Sequence, residues 1–145
     1  MNLHSKPKLI RILAGYYGIL QTVHLFLLGR AGIIFIRTGR VPFPAQSPSG
    51  GWHFTTLPFL MGMGAADVFA ASLGIYFVSQ FFIKKQIKSV TGIISLTAAL
   101  TSGLIFLIGT IPSGAWNQHF IAYLAVVIGF SPLLPLYLFI LKNTD

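Results

Sequence analysis

Few side chains in this sequence could do chemistry. Its 145 residues hold two acids and four histidines, and cysteine is absent, which excludes disulfides, thiolate catalysis and thiolate-held metals. One acid is Asp145, the last residue; the other, Asp67, lies inside the apolar run HFTTLPFLMGMGAADVFAASLGIYF at residues 53–77. A carboxylate in such a run is costly in a bilayer and faces a partner group or a wet cavity. The chemistry it can serve there is ion binding, proton coupling or recognition of a ligand.

A helix turns about 100° per residue, so His53, Thr56, Leu60, Gly64, Asp67, Ala71 and Gly74 form one stripe. Small residues let neighbouring helices approach closely, and this stripe is expected to face other helices. In the preceding apolar run, Tyr17, Gln21 and His24 form one stripe and Arg11, Gly15, Gly18 and Thr22 another. Depth, at about 1.5 Å per residue, puts Asp67 roughly 21 Å below the start of its run at residue 53. That ranks Tyr17 and Arg11 ahead of His24 as its partners. Thr56, Gln21 and, from the last apolar run, Tyr123 complete the candidate binding set.

His53 and His119 stand beside Trp52 and Trp116, where an interfacial role accounts for them. A sharper alternative makes His24, His53 and His119 ligands of a haem or a metal, since imidazole is a common ligand of both. Their spacing matches no metal motif. An enzyme is the least supported class: there are no paired carboxylates, no Ser-His-Asp set at one depth and no phosphate-cradling glycine loop.

These groups must be positioned by membrane-spanning helices. The chain is 54% hydrophobic and 8% charged, against about 25% charged in soluble domains. Four apolar runs, at about 9–29, 53–79, 89–111 and 116–141, each approach or exceed the roughly 20 residues that cross a bilayer. The first is expected to extend as helix to Phe35, and Pro132 and Pro135 should kink the last. Pro58 marks a further expected kink in the second. The fold class is thus an all-α integral membrane protein, a four-transmembrane-helix bundle in one domain over residues 1–145.

The net charge of +8 comes from small basic groups flanking the runs. That placement argues for membrane anchoring and against nucleic acid. Lys6, Lys8, Arg11, Lys84, Lys85, Lys88 and Lys142 fall on one side and Arg30, Arg37 and Arg40 on the other. Both termini are therefore expected in the cytoplasm, in a cell or inner membrane, with the proline-rich loop at 37–51 outside. PSGGWHF at 48–54 and PSGAWNQHF at 112–120 share their order of residue types. They suggest two parallel-related hairpins, about 8–83 and 84–145.

Three functional classes follow. The first is a small protein that binds or transports an ion or small molecule through a polar interior centred on Asp67, in which case a homodimer would add lining. The second is a haem- or metal-holding membrane subunit, and the third a non-catalytic assembly subunit whose small-residue stripes bind other membrane subunits.

Overall fold

The computed structural model describes residues 8–39, 56–83 and 89–143. Among them there is helix and turn and no strand: α1 (Lys8–Thr38), α2 (Thr56–Ile83), α3 (Ser89–Gly109), a 3-10 turn (Ile111–Ser113), α4 (Ala115–Gln118), α5 (Phe120–Phe130) and α6 (Leu133–Lys142). Four stretches, Lys8–Thr38, Pro58–Ile83, Val90–Ser113 and Phe120–Lys142, are long and apolar enough to cross a bilayer.

The boundaries follow local chemistry. The apolar sequence AGIIFI contains no breaker, so α1 continues past residue 35 until Gly39, whose φ of +66° ends it and whose N–H returns to the Phe35 carbonyl at 2.8 Å. Pro58 does not kink α2. It falls in the first turn, where the missing N–H has no intrahelical acceptor. The last span is the one that breaks. Pro132 lacks the N–H that would bond the Ile128 carbonyl, and the Ser131 hydroxyl donates to that carbonyl instead at 2.9 Å. Pro135 lies in the first turn of α6, where it is tolerated.

Between α3 and α5 the chain turns through Thr110 to His119. The Thr110 hydroxyl donates to the Phe106 carbonyl at 2.7 Å, Ser113 donates to the Thr110 carbonyl, and Gly114 takes φ +75°. Trp116 closes the end of α3 by donating its indole N–H to the Leu107 carbonyl at 2.9 Å. Its ring stacks on Tyr123, which stacks in turn on Phe106.

Packing divides the molecule into two halves along the helix direction. In the lower half, where Lys8, Ile83 and Lys142 lie, Ile10, Leu13, Ala14, Tyr17, Ala70, Phe77, Phe81, Leu96, Ala99, Leu133, Leu136 and Ile140 form one buried core. It draws on α1, α2, α3 and α6. Small residues permit the close approach there: a Cβ at Gly18 would stand 2.8 Å from Val78, and one at Gly92 2.7 Å from Phe77. Thr97 adds a hydrogen bond to the Tyr137 hydroxyl of α6 at 2.9 Å. In the upper half α5 replaces α6, and the helices border a half-open cavity.

The first of the two proline-led segments, 48–54, lies outside the described residues, as do His53, Arg40, Lys84, Lys85 and Lys88. The spans that follow the two segments differ in form. One is the continuous α2, the other is divided into α4, α5 and α6.

Candidate functional site

The cavity has a volume of about 530 Å³ and is open on one side. α1 contributes lining residues from Leu20 to Phe35, α2 from Leu60 to Val68, α3 Ser102, Gly103 and Phe106, and α5 residues from Ala122 to Phe130. Nearly all are Leu, Val, Met, Phe, Ala or Gly. The ionisable exceptions are His24 and Asp67, with the hydroxyl of Ser102 beside them.

These three side chains come from three helices and meet at the lower end of the cavity. The Ser102 hydroxyl donates to Asp67 Oδ1. His24 Nε2 stands 3.7 Å from Asp67 Oδ2, beyond hydrogen-bond reach but close enough for attraction when the imidazole is protonated. The side chains of His24 and Asp67 keep 19% and 17% of their surface accessible, so both remain open to the cavity.

This arrangement corrects the expected pairing of Asp67 with Tyr17 or Arg11. Asp67 lies sixteen residues before Ile83, and His24 sixteen residues after Lys8. Counted from the lower ends, both therefore sit about 24 Å up their helices. The expected depth was counted from residue 53 across a span of bilayer thickness. α2 has 28 residues, about 42 Å of helix, and overruns the roughly 30 Å hydrocarbon layer. Arg11, thirteen residues below His24, is exposed.

Tyr17 belongs to a second polar layer, one heptad lower. Its hydroxyl bonds Ser95, and the Ser95 hydroxyl donates to the Ala70 carbonyl at 3.2 Å. Because Ser95 has a single proton, Tyr17 must be the donor in the first bond. Gln21 is buried beside this chain, and its Nε2 has no hydrogen-bond partner. Gly74 supplies the room: a Cβ there would lie 2.9 Å from the Tyr17 oxygen, 2.9 Å from Gln21 Cγ and 3.1 Å from Ser95 Oγ.

The other expected site residues are dispersed. Thr56 opens α2, with its side chain outside the described part. Tyr123 is buried between Phe106 and Trp116, its hydroxyl is without a hydrogen bond, and it does not line the cavity. His119 marks the junction of α4 and α5 and is likewise absent from the lining. Among the described residues no three of His, Asp and Glu come close enough to hold a metal ion.

Ser102 and Ser95 were missing from the expected binding set. Their signal is their spacing: seven residues apart on α3, they share a helix face, since a heptad drifts by only about 20°. Tyr17 and His24 on α1, and Asp67 and Gly74 on α2, have the same spacing.

No family model, characterised protein or solved structure matches this chain. A carboxylate with one oxygen committed to Ser102 and the other turned towards an imidazole and an apolar cavity can accept a hydrogen bond or balance a positive charge. It has no second carboxylate beside it among the described residues; a serine, a histidine and an aspartate do share one depth, contrary to expectation, but here the serine and the imidazole each face the carboxylate rather than one another.

Proposed function

We propose that this is a four-span helical-bundle membrane protein that binds a small, largely apolar molecule in the cavity above Asp67. One observation carries the reading: a carboxylate, the acid among the described residues, lies in the wall of an otherwise apolar cavity of about 530 Å³. That volume is within the range of roughly 300–1,000 Å³ typical of small-molecule sites, which combine an apolar lining with a few convergent polar groups. A polar group in a purely structural position would be sealed by packing, as Tyr17 and Ser95 are. Asp67 and His24 are instead left accessible from the cavity.

Four apolar helices of spanning length support membrane insertion. The excess of Lys and Arg in the segments that flank Lys8, Ile83 and Lys142 supports a cytoplasmic location for both termini. The cysteine-free sequence makes orientation directly measurable, because a single cysteine introduced at Ser47 or at Asn143 can be labelled with an impermeant maleimide. Labelling from outside at 47 and not at 143 is the expected result.

Binding is the step this geometry favours. Transport would also require passage through the lower half, where the core from Ile10 to Ile140 is closely packed. The protein purified from its own membrane into nanodiscs, extracted and examined by mass spectrometry, should yield a bound small molecule near one equivalent. Gly64 offers a cavity-filling control, since it lines the cavity and a Cβ on it meets nothing within 4 Å. The bound molecule should be lost from Gly64→Trp. Identical extracts from the two proteins would refute the reading.

A further inference from the structure

Building on the proposed ligand site, we infer that its ligand is a lipophilic amine, with the protonated nitrogen donating to Asp67 Oδ2 and the hydrocarbon body running up the cavity along α1. The Ser102 hydroxyl occupies Oδ1, and among the described residues Oδ2 has no hydrogen bond. The imidazole that faces it stands at 3.7 Å. A carboxylate offers about four acceptor positions across its two oxygens, so the site lacks donors and has acceptors to spare. No Lys or Arg lines the cavity, so a cationic ligand gains the Asp67 counter-charge there, while an anionic one meets that carboxylate with only the His24 imidazole beside it.

Shape sets the rest of the ligand. His24, Asp67 and Ser102 cluster at one end, while the lining on α1 continues from His24 to Phe35, about 16 Å of helix. Through that length the walls are apolar. The ligand must therefore enter nitrogen first and carry its apolar body behind. A bare metal cation is a poor fit, because the hard cations take six or more oxygen ligands and this end provides two carboxylate oxygens and one hydroxyl.

Three probes with one hydrocarbon cage, 1-adamantylamine, 1-adamantanol and 1-adamantanecarboxylate, separate the possibilities by calorimetric titration of the protein in nanodiscs, with empty nanodiscs subtracted. The amine should bind more than about tenfold tighter than the alcohol, reflecting the greater strength of a charge-assisted hydrogen bond, and the carboxylate should not bind. Asp67→Asn, which keeps an oxygen for Ser102, should erase the preference for the amine, and Gly64→Trp should abolish binding of all three. Helicity and elution volume establish that each variant is folded. Equal binding of amine and alcohol to the wild type, lost in Gly64→Trp, overturns the amine and leaves the cavity reading intact. An amine preference that survives Asp67→Asn also overturns it. If none of the probes binds and no molecule co-purifies, both readings fall together.

Discussion

Gly74→Ala tests whether the lower polar layer is as tightly closed as it looks. The new methyl would stand 2.9 Å from the Tyr17 hydroxyl oxygen, 2.9 Å from Gln21 Cγ and 3.1 Å from Ser95 Oγ, all closer than ordinary van der Waals contact. Tyr17 and Ser95 are fully buried, so neither can swing into open space. Overpacking of this kind costs about 1–3 kcal/mol. Breaking the bond from Tyr17 to Ser95 adds about 0.6 kcal/mol, the average for hydrogen bonds between membrane helices, and at most about 1.7 kcal/mol. Against these stands a gain of about 1 kcal/mol from replacing glycine by alanine in a helix. A net loss of about 0.6–3.7 kcal/mol should result, read from reversible unfolding in mixed micelles. Gly62→Ala is the matched control, because a Cβ there meets nothing within 4 Å, and it should be neutral or slightly stabilising. Tyr17→Phe removes one of the three obstructing atoms, so it should cost less in the Gly74→Ala background than alone. Additive losses, or a Gly74→Ala protein as stable as Gly62→Ala, would refute the close packing of this layer.

Three further outcomes follow from the way the upper half is fastened. The Tyr16 hydroxyl donates to the Gly129 carbonyl at 2.7 Å, tying α1 to α5 just before the break at Ser131–Pro132, so Tyr16→Phe should speed amide hydrogen exchange across Phe120–Phe130 and leave Leu133–Lys142 unchanged. Ser131→Ala deprives the Ile128 carbonyl of its donor and should cost up to about 1.7 kcal/mol; with Pro132→Ala present, the restored backbone N–H should cancel that cost in the same unfolding assay. Trp116→Phe keeps an aromatic ring against Tyr123 but loses the bond to the Leu107 carbonyl, so it should lower stability by about 1 kcal/mol, and Trp116→Leu should lower it further.

Hydropathy made the four long apolar helices legible because a helix able to cross a bilayer must be apolar over about 20 residues whatever its neighbours do. The stripe containing Leu60, Gly64, Asp67, Ala71 and Gly74 was legible for a similar reason: period and residue size alone mark a face that other helices can approach, and Leu60, Ala71 and Gly74 are buried. The break at Pro132 follows from a missing N–H, a strictly local fact. Asp67's partner was a different kind of question. It depends on where each helix starts relative to the others, and the true start of α2, together with its overrun beyond bilayer thickness, moved Asp67 from the level of Tyr17 to that of His24. Ser102 escaped because α3 is rich in small and hydroxylated residues, including Thr91, Ser95, Thr97, Thr101 and Ser102; composition could not single out the two that point inwards.

The heptad spacing explains how one set of helices holds two polar layers of opposite character. α1 and α3 rise from the lower end and α2 descends, so Tyr17 and Ser95 meet Gly74 at the lower level, and His24 and Ser102 meet Asp67 at the upper. Seven residues are about 10.5 Å along each helix, with only about 20° of rotation, so the layers stay in register on all three. At the lower level the α2 position is a glycine, and the space it leaves lets Tyr17, Gln21 and Ser95 close upon one another. At the upper level the α2 position is a carboxylate bonded to Ser102, and α6 has given way to α5 beyond the proline break. Closure below and opening above therefore arise on the same geometry, with the α1 and α2 residues exchanged and the α3 serine kept. Asp67 is held at Oδ1 by Ser102 while Oδ2 faces the His24 imidazole at 3.7 Å and the cavity.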